Sequence, residues 1–120
     1  YMMYQKAICF GDTKIAKKIL ETTDVAQIKA LGRKVSNYNE TIWNGKRQIV
    51  VYNGLCAKFQ NPELKCKLKA TGDAVLAECA VRDCIWGIGL SMTEPKRLEM
   101  EKWRGKNLLG FALMMVRDGI

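Results

Sequence analysis

The sequence contains no histidine, only two prolines and no long apolar stretch. Without histidine the chain cannot use a Ser-His-Asp or Cys-His catalytic arrangement, and it cannot ligate a metal through imidazole. Acid–base chemistry near neutral pH would therefore fall to carboxylates, lysines, tyrosines or water. No apolar run approaches the roughly 20 residues that a membrane-spanning helix requires. No charged and apolar leader precedes Tyr1, so we expect a cytoplasmic protein without membrane association.

The length and composition are those of one globular domain. The chain has 120 residues, of which 48% are apolar and 27% charged. Its five cysteines are an odd number without a CxxC pair, which favours reduced, mostly buried thiols over a zinc site or a disulfide framework. The net charge of +8 agrees with a phosphorylated ligand, although the basic residues are dispersed along the chain.

Apolar spacing and capping residues predict a mainly helical chain. Asp12, Asp24 and Asn61 are expected to cap helices, and Pro62 fits the first position of one. The predicted helices cover residues 1–10, 12–20, 24–32, 49–59, 61–72 and 106–117. The apolar positions on these helices are Ile15, Ile19, Leu20, Val25, Ile28, Leu31, Ile49, Tyr52, Cys56, Phe59, Leu64, Leu68, Leu109, Leu113 and Val116.

Two later segments predict β-structure. Residues 75–80 form an apolar run typical of a buried strand, and residues 83–90 indicate a turn followed by a strand. The expected fold class is therefore α+β, a predominantly helical single domain with a small β-sheet.

The segment 83–90 carries residues suited to sugar chemistry. The indole of Trp86 can stack on a planar heterocycle, and the nearby carboxylate of Asp83 can stabilise a ribosyl cation or orient water. Gly87 and Gly89 would let a ligand approach the backbone closely. The structural alternatives are that Trp86 belongs to the core and that Asp83 is a turn or capping residue.

The segment 103–110 offers a possible phosphate site. Lys106 and Asn107 follow Gly105 at a predicted helix start, where free N–H groups and the helix dipole favour an anion. An ordinary helix start without a ligand is the alternative, and Trp103 is expected to serve packing.

Several short motifs occur in a particular order along nearly the whole chain. They are Gln5-Lys6-Ala7, Gly11-Asp12, Leu31-Gly32-Arg33, Trp43, Lys58-Phe59, Gln60-Asn61-Pro62-Glu63-Leu64, Thr71-Gly72-Asp73, Glu78, Asp83, Trp86-Gly87, Gly89, Gly105-Lys106-Asn107, Leu109-Gly110 and Leu113-Met114. Together they resemble the YbiA/NADAR family. The resemblance implies hydrolysis of the base–ribose N-glycosidic bond in phosphorylated riboflavin-pathway intermediates, the ribosylaminopyrimidine phosphates. An alternative from the same family is removal of ADP-ribose from guanine in DNA or from another acceptor.

The resemblance also implies roles for single residues. Asp83, Trp86 and Trp43 match the family's catalytic positions. The substrate-binding positions are expected at Lys6, Arg33, Lys58, Gly87, Gly89, Lys106 and Asn107. No cofactor or metal is expected, and the implied partner is a phosphorylated nucleotide-like small molecule or ADP-ribosylated DNA.

The sequence departs from the family pattern at its amino end. The family's motif has a glutamate at a position two residues upstream of Tyr1, and its first strands also lie upstream. Some members carry an acid where this chain has Ile88. We therefore expect residues 1–120 to form one YbiA/NADAR-like domain without those strands, either a fragment of an enzyme or a form lacking one acid. A non-catalytic module that binds ADP-ribose or another nucleotide is the third alternative.

Overall fold

The structure, a computed structural model, describes residues 1–120 as six α-helices and two short 3-10 helices joined by loops. The α-helices are α1 (Met2–Cys9), α2 (Thr13–Leu20), α3 (Val25–Gly32), α4 (Glu40–Lys58), α5 (Pro62–Ala70) and α6 (Leu108–Asp118). The 3-10 helices cover Pro95–Leu98 and Met100–Lys102. None of the helices is both long enough and apolar enough to cross a membrane.

The predicted caps are confirmed. The side chains of Asp12, Asp24 and Asn61 each accept a hydrogen bond from a backbone N–H of the following first turn, at the starts of α2, α3 and α5. Such a bond satisfies an N–H group that has no partner inside the helix. Pro62 occupies the start of α5, where its missing N–H costs nothing.

Residues Tyr1–Val50 form one compact unit. Helices α1, α2 and α3 pack on one another around a core of Ala7, Ala16, Ile19 and Val35. Ile19, one of the apolar positions expected on these helices, is thus buried. Leu20 and Val25, expected on the same apolar faces, are instead 69% and 63% exposed.

Residues Val51–Ile120 form a second compact unit. Its core consists of Phe59, Leu68 and Val116, and the half-buried Leu64 and Leu113 pack against it. These positions confirm the apolar faces predicted for the second half of α4, for α5 and for α6.

Helix α4 is longer than the sequence indicated. It begins at Glu40, well before the predicted start, and Trp43 in its first turns is buried. Ile49, expected on the apolar face, is 61% exposed.

The predicted β-sheet is wrong, and with it the α+β class, because no residue of the chain lies in a strand. Residues 75–80 have no regular secondary structure. Their backbone makes hydrogen bonds to a side chain, whereas the backbone of a strand would make them to a neighbouring strand. The amide of Asn107 donates to the carbonyl oxygen of Leu76 over 2.8 Å and accepts from the N–H of Glu78 over 3.0 Å. A strand needs a ladder of such bonds to a neighbouring strand. Residues 83–90 likewise form a series of bends without a strand.

The five cysteines are all free thiols. The expectation that they are mostly buried is wrong, because Cys66 and Cys84 are exposed and the other three are only half-buried. No group of three or more cysteine or acidic side chains is arranged to hold a metal ion.

Candidate ligand-binding site

The first unit brings together two of the predicted substrate-binding residues, Lys6 and Arg33. Lys6 lies in α1, and Arg33 directly follows α3. The Nζ of Lys6 lies 4.4 Å from the centroid of the Tyr38 ring, within cation–π range. Partial burial lowers the pKa of Lys6, and the charge of Arg33 lowers it further. These residues form a cluster of two cations and one aromatic ring.

Neither cation of this cluster has an acidic partner. The ion pairs of the structure join Lys67 to Glu63 and Lys102 to Glu99, both in the second unit. Two neighbouring positive charges without a carboxylate favour an anion between or beside them. The cluster therefore has the electrostatics of a phosphate site.

The loop after α3 holds Tyr38 in this cluster. Asp12 accepts hydrogen bonds from the N–H of Ile15 at 3.0 Å and from the N–H of Ser36 at 2.9 Å, so one carboxylate fixes both α2 and this loop. These two backbone donors lower the pKa of Asp12. Asn37 then takes a left-handed conformation with φ of 60°, which turns the chain before Tyr38.

In the second unit, Asp83 organises the loop that carries Trp86. One of its carboxylate oxygens, Oδ1, accepts from the N–H of Ile85 at 3.0 Å and from the N–H of Trp86 at 2.8 Å. The alternative of Asp83 as a turn-capping residue is thus observed. Its second oxygen, Oδ2, makes no hydrogen bond within the protein and is available to a ligand or to water.

Gly87 and Gly89 are buried where the chain approaches itself. A Cβ added at Gly87 would lie 2.8 Å from the carbonyl oxygen of Glu78. Gly89 has φ of +72°, and a Cβ there would lie 2.9 Å from the Cβ of Arg104. The space beside each glycine is occupied by protein, and a role for them in substrate binding stays a prediction.

The expected free N–H groups at the start of the last helix are not free. Six consecutive N–H groups, those of residues 104–109, donate to carbonyl oxygens of residues 84–88 at 2.8–3.1 Å. The helix begins at Leu108, and Asn107 is fully buried, with its side chain engaged by residues 76 and 78. The backbone there cannot hold a phosphate as it stands. The exposed Lys106 side chain remains the one predicted anion ligand of this segment.

The other predicted residues lie apart in the chain. Trp43 is a buried residue of α4 in the first unit, and Trp86 is a half-buried residue of the second. Lys58 ends α4 with an exposed side chain whose Nζ is 5.8 Å from the centroid of the Phe59 ring. The proposed joint action of the two tryptophans on a base stays a prediction.

A shallow groove of about 390 Å³ in the second unit contains none of the predicted site residues. It is lined by Val75, Ala77, Cys79, Arg97, Leu98, Met100 and Trp103. The indole N–H of Trp103 donates to the carbonyl oxygen of Arg97 at 2.9 Å, so this side chain stabilises the local turn of residues 97–103. The residue that the sequence did not indicate is Tyr38, which lies 32 residues after Lys6 and whose place beside it depends on the turn at Asn37. The one local signal for that turn was Asn37, a residue type that tolerates the left-handed conformation.

A helical protein in which cations without acidic partners lie near an aromatic ring is suited to binding an anionic ligand. The chain belongs to the NADAR domain family, whose model matches residues 1–120. It is 44% identical over 119 residues to "N-glycosidase R617" of Acanthamoeba polyphaga mimivirus, a match that covers 98% of this chain and 70% of that protein.

Two bacterial proteins are also similar to the chain. It is 34% identical over 116 residues to "Riboflavin biosynthesis protein VVA0006" of Vibrio vulnificus, covering 96% of this chain and 29% of that protein. It is 31% identical over 116 residues to "N-glycosidase YbiA" of Escherichia coli, covering 96% of this chain and 66% of that protein. The chain therefore spans between 29% and 70% of the length of these relatives.

Proposed function

We propose that this chain is an N-glycosidase that hydrolyses the base–ribose bond of a phosphorylated nucleotide-like compound, with ribosylaminopyrimidine phosphates of the riboflavin pathway as the substrate class. The observation that carries the reaction type is the similarity over nearly the whole chain to relatives named N-glycosidase. The substrate class is supported by the relative named for riboflavin biosynthesis. We place the activity in the cytoplasm, where such nucleotides are made.

The phosphate end of the substrate is assigned to Lys6 and Arg33. Their charges are unpaired within the protein, and charge-assisted hydrogen bonds to phosphate are about twice as strong as neutral ones. The lowered pKa of Lys6 supports this assignment, because a bound phosphate would offset the repulsion from Arg33.

The bond-breaking end is assigned to Asp83 and Trp86. Water adds to the anomeric carbon as the C–N bond breaks, and the electron pair of that bond leaves with the base, which takes up a proton. The Oδ1 of Asp83 is fixed by two backbone N–H groups, so its Oδ2 has a defined direction from which to orient water or stabilise the ribosyl cation. Trp86, in the same loop, would stack on the departing base.

A second candidate substrate is ADP-ribose attached to guanine in DNA. The observation in its favour is the net charge of +8, which would attract a nucleic acid. The bond cleaved and the residues assigned to it are the same.

The test is to incubate the purified protein with a ribosylaminopyrimidine phosphate and to measure ribose 5-phosphate released. We expect release, and we expect Asp83→Asn to reduce kcat at least about 100-fold, because a neutral amide cannot offset the positive charge that develops on the ribose. Asn keeps an oxygen that can accept from residues 85 and 86, so the loop should persist. Asp118→Asn, at the exposed end of α6, is the matched control and should keep full activity.

A parallel incubation with ADP-ribosylated DNA separates the two substrates through released ADP-ribose. If the mimivirus relative releases a product under the same conditions and this chain releases none, the N-glycosidase proposal is rejected. Binding of ADP-ribose without any turnover would then identify a non-catalytic module.

A further inference from the structure

We propose that Tyr38 is a positioning residue that holds the Lys6 ammonium within electrostatic reach of Arg33, so that the two cations act as a clamp for the ligand's phosphate. This inference rests on the function proposed above and adds to it a residue that lies outside the sequence motifs matching the family.

The geometry of the ring supports this role. The Lys6 Nζ lies 4.4 Å from the Tyr38 ring centroid, and the Phe10 ring meets the Tyr38 ring edge-on, with centroids 5.4 Å apart and an angle of 69°. A T-shaped aromatic pair of this kind is favourable and restrains the ring. The face of Tyr38 toward Lys6 is thus fixed by a partner other than Lys6.

Lys6 needs such a partner because its surroundings disfavour its charge. Burial and the neighbouring Arg33 both lower the pKa of Lys6, and no carboxylate pairs with either cation. A long lysine side chain in that position would otherwise turn its ammonium to solvent. The negative face of an aromatic ring attracts the ammonium without neutralising it, so the charge remains available to an anion.

The loop that carries Tyr38 is built to hold it. The Ser36 N–H bonds the Asp12 carboxylate across 24 residues of sequence, and Asn37 adopts φ of 60° immediately before Tyr38. A non-glycine residue in the left-handed region carries a small cost in strain, which persists only where the surroundings fix it. Two independent features therefore fix the backbone next to the ring.

The test is calorimetric binding of ribose 5-phosphate, with ribose as the phosphate-free control. Tyr38→Leu is expected to weaken binding of ribose 5-phosphate about two- to fivefold, the size of one cation–π contact. Tyr38→Phe keeps the ring and should bind as the wild type does. Tyr38 is 43% exposed, so both variants should fold.

The second measurement is the pKa of Lys6, followed by NMR of the isotopically methylated amine. Tyr38→Leu should lower this pKa further, because the ring favours the charged form, whereas Tyr38→Phe should leave it unchanged. A residue that only supports the fold would not give this pattern.

A double-mutant cycle with Lys6→Met completes the test. If Tyr38 acts through Lys6, Tyr38→Leu should have no further effect on binding once Lys6 is removed. An undiminished effect in the Lys6→Met background, or a Tyr38→Phe variant as weak as Tyr38→Leu, would overturn the inference, as would a wild type that does not bind ribose 5-phosphate. None of these readouts requires bond cleavage, so a protein that binds but does not hydrolyse would reject the proposed function and leave the clamp standing.

Discussion

The side-chain amide nitrogen of Asn107 donates a hydrogen bond of 2.8 Å to the carbonyl oxygen of Leu76, which lies 31 residues earlier in the chain. The amide oxygen of the same side chain accepts from the N–H of Glu78. One fully buried amide thus satisfies an acceptor and a donor of a segment that has no strand beside it. The Asn107 side chain thus makes two hydrogen bonds that a neighbouring strand would otherwise make.

Replacing Asn107 should destabilise the second unit. Asn107→Leu leaves the Leu76 carbonyl and the Glu78 N–H without partners, at a cost of about 1–3 kcal/mol for each group that water cannot reach. Asn107→Gly tolerates the observed φ of 54° and loses only the side-chain bonds, so it separates strain from hydrogen bonding. The measurement is urea unfolding, with the exposed Asn53→Ala as control. Equal stability of Asn107→Gly and the wild type would contradict the role assigned to the amide.

Two glycines make a matched pair for testing the packing of the loop at residues 83–90. An alanine at Gly87 would place its Cβ 2.8 Å from one carbonyl oxygen and 2.9 Å from another, and such overpacking costs about 1–3 kcal/mol. An alanine at Gly45, inside α4, meets nothing within 4 Å and should stabilise the helix by about 0.5–1 kcal/mol. Thermal unfolding of the two variants should therefore shift in opposite directions. A destabilised Gly45→Ala or a neutral Gly87→Ala would contradict this account.

The features that the sequence predicted correctly are local ones. Asp12, Asp24 and Asn61 cap helices because a capping side chain bonds an N–H only two or three residues away. The start of α4 was missed because Gly45 lowers the helix propensity of this part of the sequence. The burial of Trp43 in the folded chain outweighs that low propensity.

The errors about the sheet and the phosphate-binding backbone concern bonds between distant segments. Residues 75–80 have the apolar composition of a strand, but their hydrogen-bond partner is a side chain in the last part of the sequence. The segment 104–109 was expected to offer free N–H groups, and carbonyl oxygens of residues 84–88 occupy them. For the candidate site, the family motifs include Lys6 and Arg33. The Tyr38 ring beside Lys6 depends on the fold of the loop after α3, and no sequence motif indicates it. Sequence periodicity carries no information about such pairings.

Asp12 should make the first unit sensitive to acid. Hydrogen bonds from the Ser36 and Ile15 N–H groups hold the pKa of Asp12 below its ordinary value of 3.8. A depressed carboxylate pKa in the folded state stabilises the fold above 3.8, and this stabilisation is lost as the pH falls through the folded-state pKa. Asp12→Ala should therefore lower the free energy of unfolding at pH 7, and the difference from the wild type should shrink in strong acid. Asp24→Ala, which loses only a local cap, is the comparison, and an equal effect of the two at pH 7 would contradict the role of the Ser36 bond.

Lys6 should also make the stability rise with pH, in the alkaline range, because its charge destabilises the fold at neutral pH whereas that of Asp12 stabilises it. Its folded-state pKa lies below the ordinary 10.5, because burial and then Arg33 disfavour the ammonium. Between the two pKa values the unfolded chain binds more protons than the folded one, so the free energy of unfolding rises with pH there. The destabilisation of the fold by the charged Lys6 ammonium is therefore full at neutral pH. It disappears as the pH rises through the folded-state pKa towards 10.5.

The measurement is the difference in unfolding free energy between the wild type and Lys6→Met from pH 7 to 11. The free energy of unfolding of the wild type should rise relative to that of Lys6→Met as the pH rises. Only the wild type has a lysine at this position whose destabilising charge is lost. Lys14→Met, at an exposed lysine of α2, is the control for the removal of a surface charge. Saturating ribose 5-phosphate should move the transition to higher pH, since a phosphate beside Lys6 stabilises its charged form. A flat profile for Lys6→Met relative to the wild type would show that burial and Arg33 do not strain this lysine, and the argument for a phosphate at the cluster would lose its electrostatic basis.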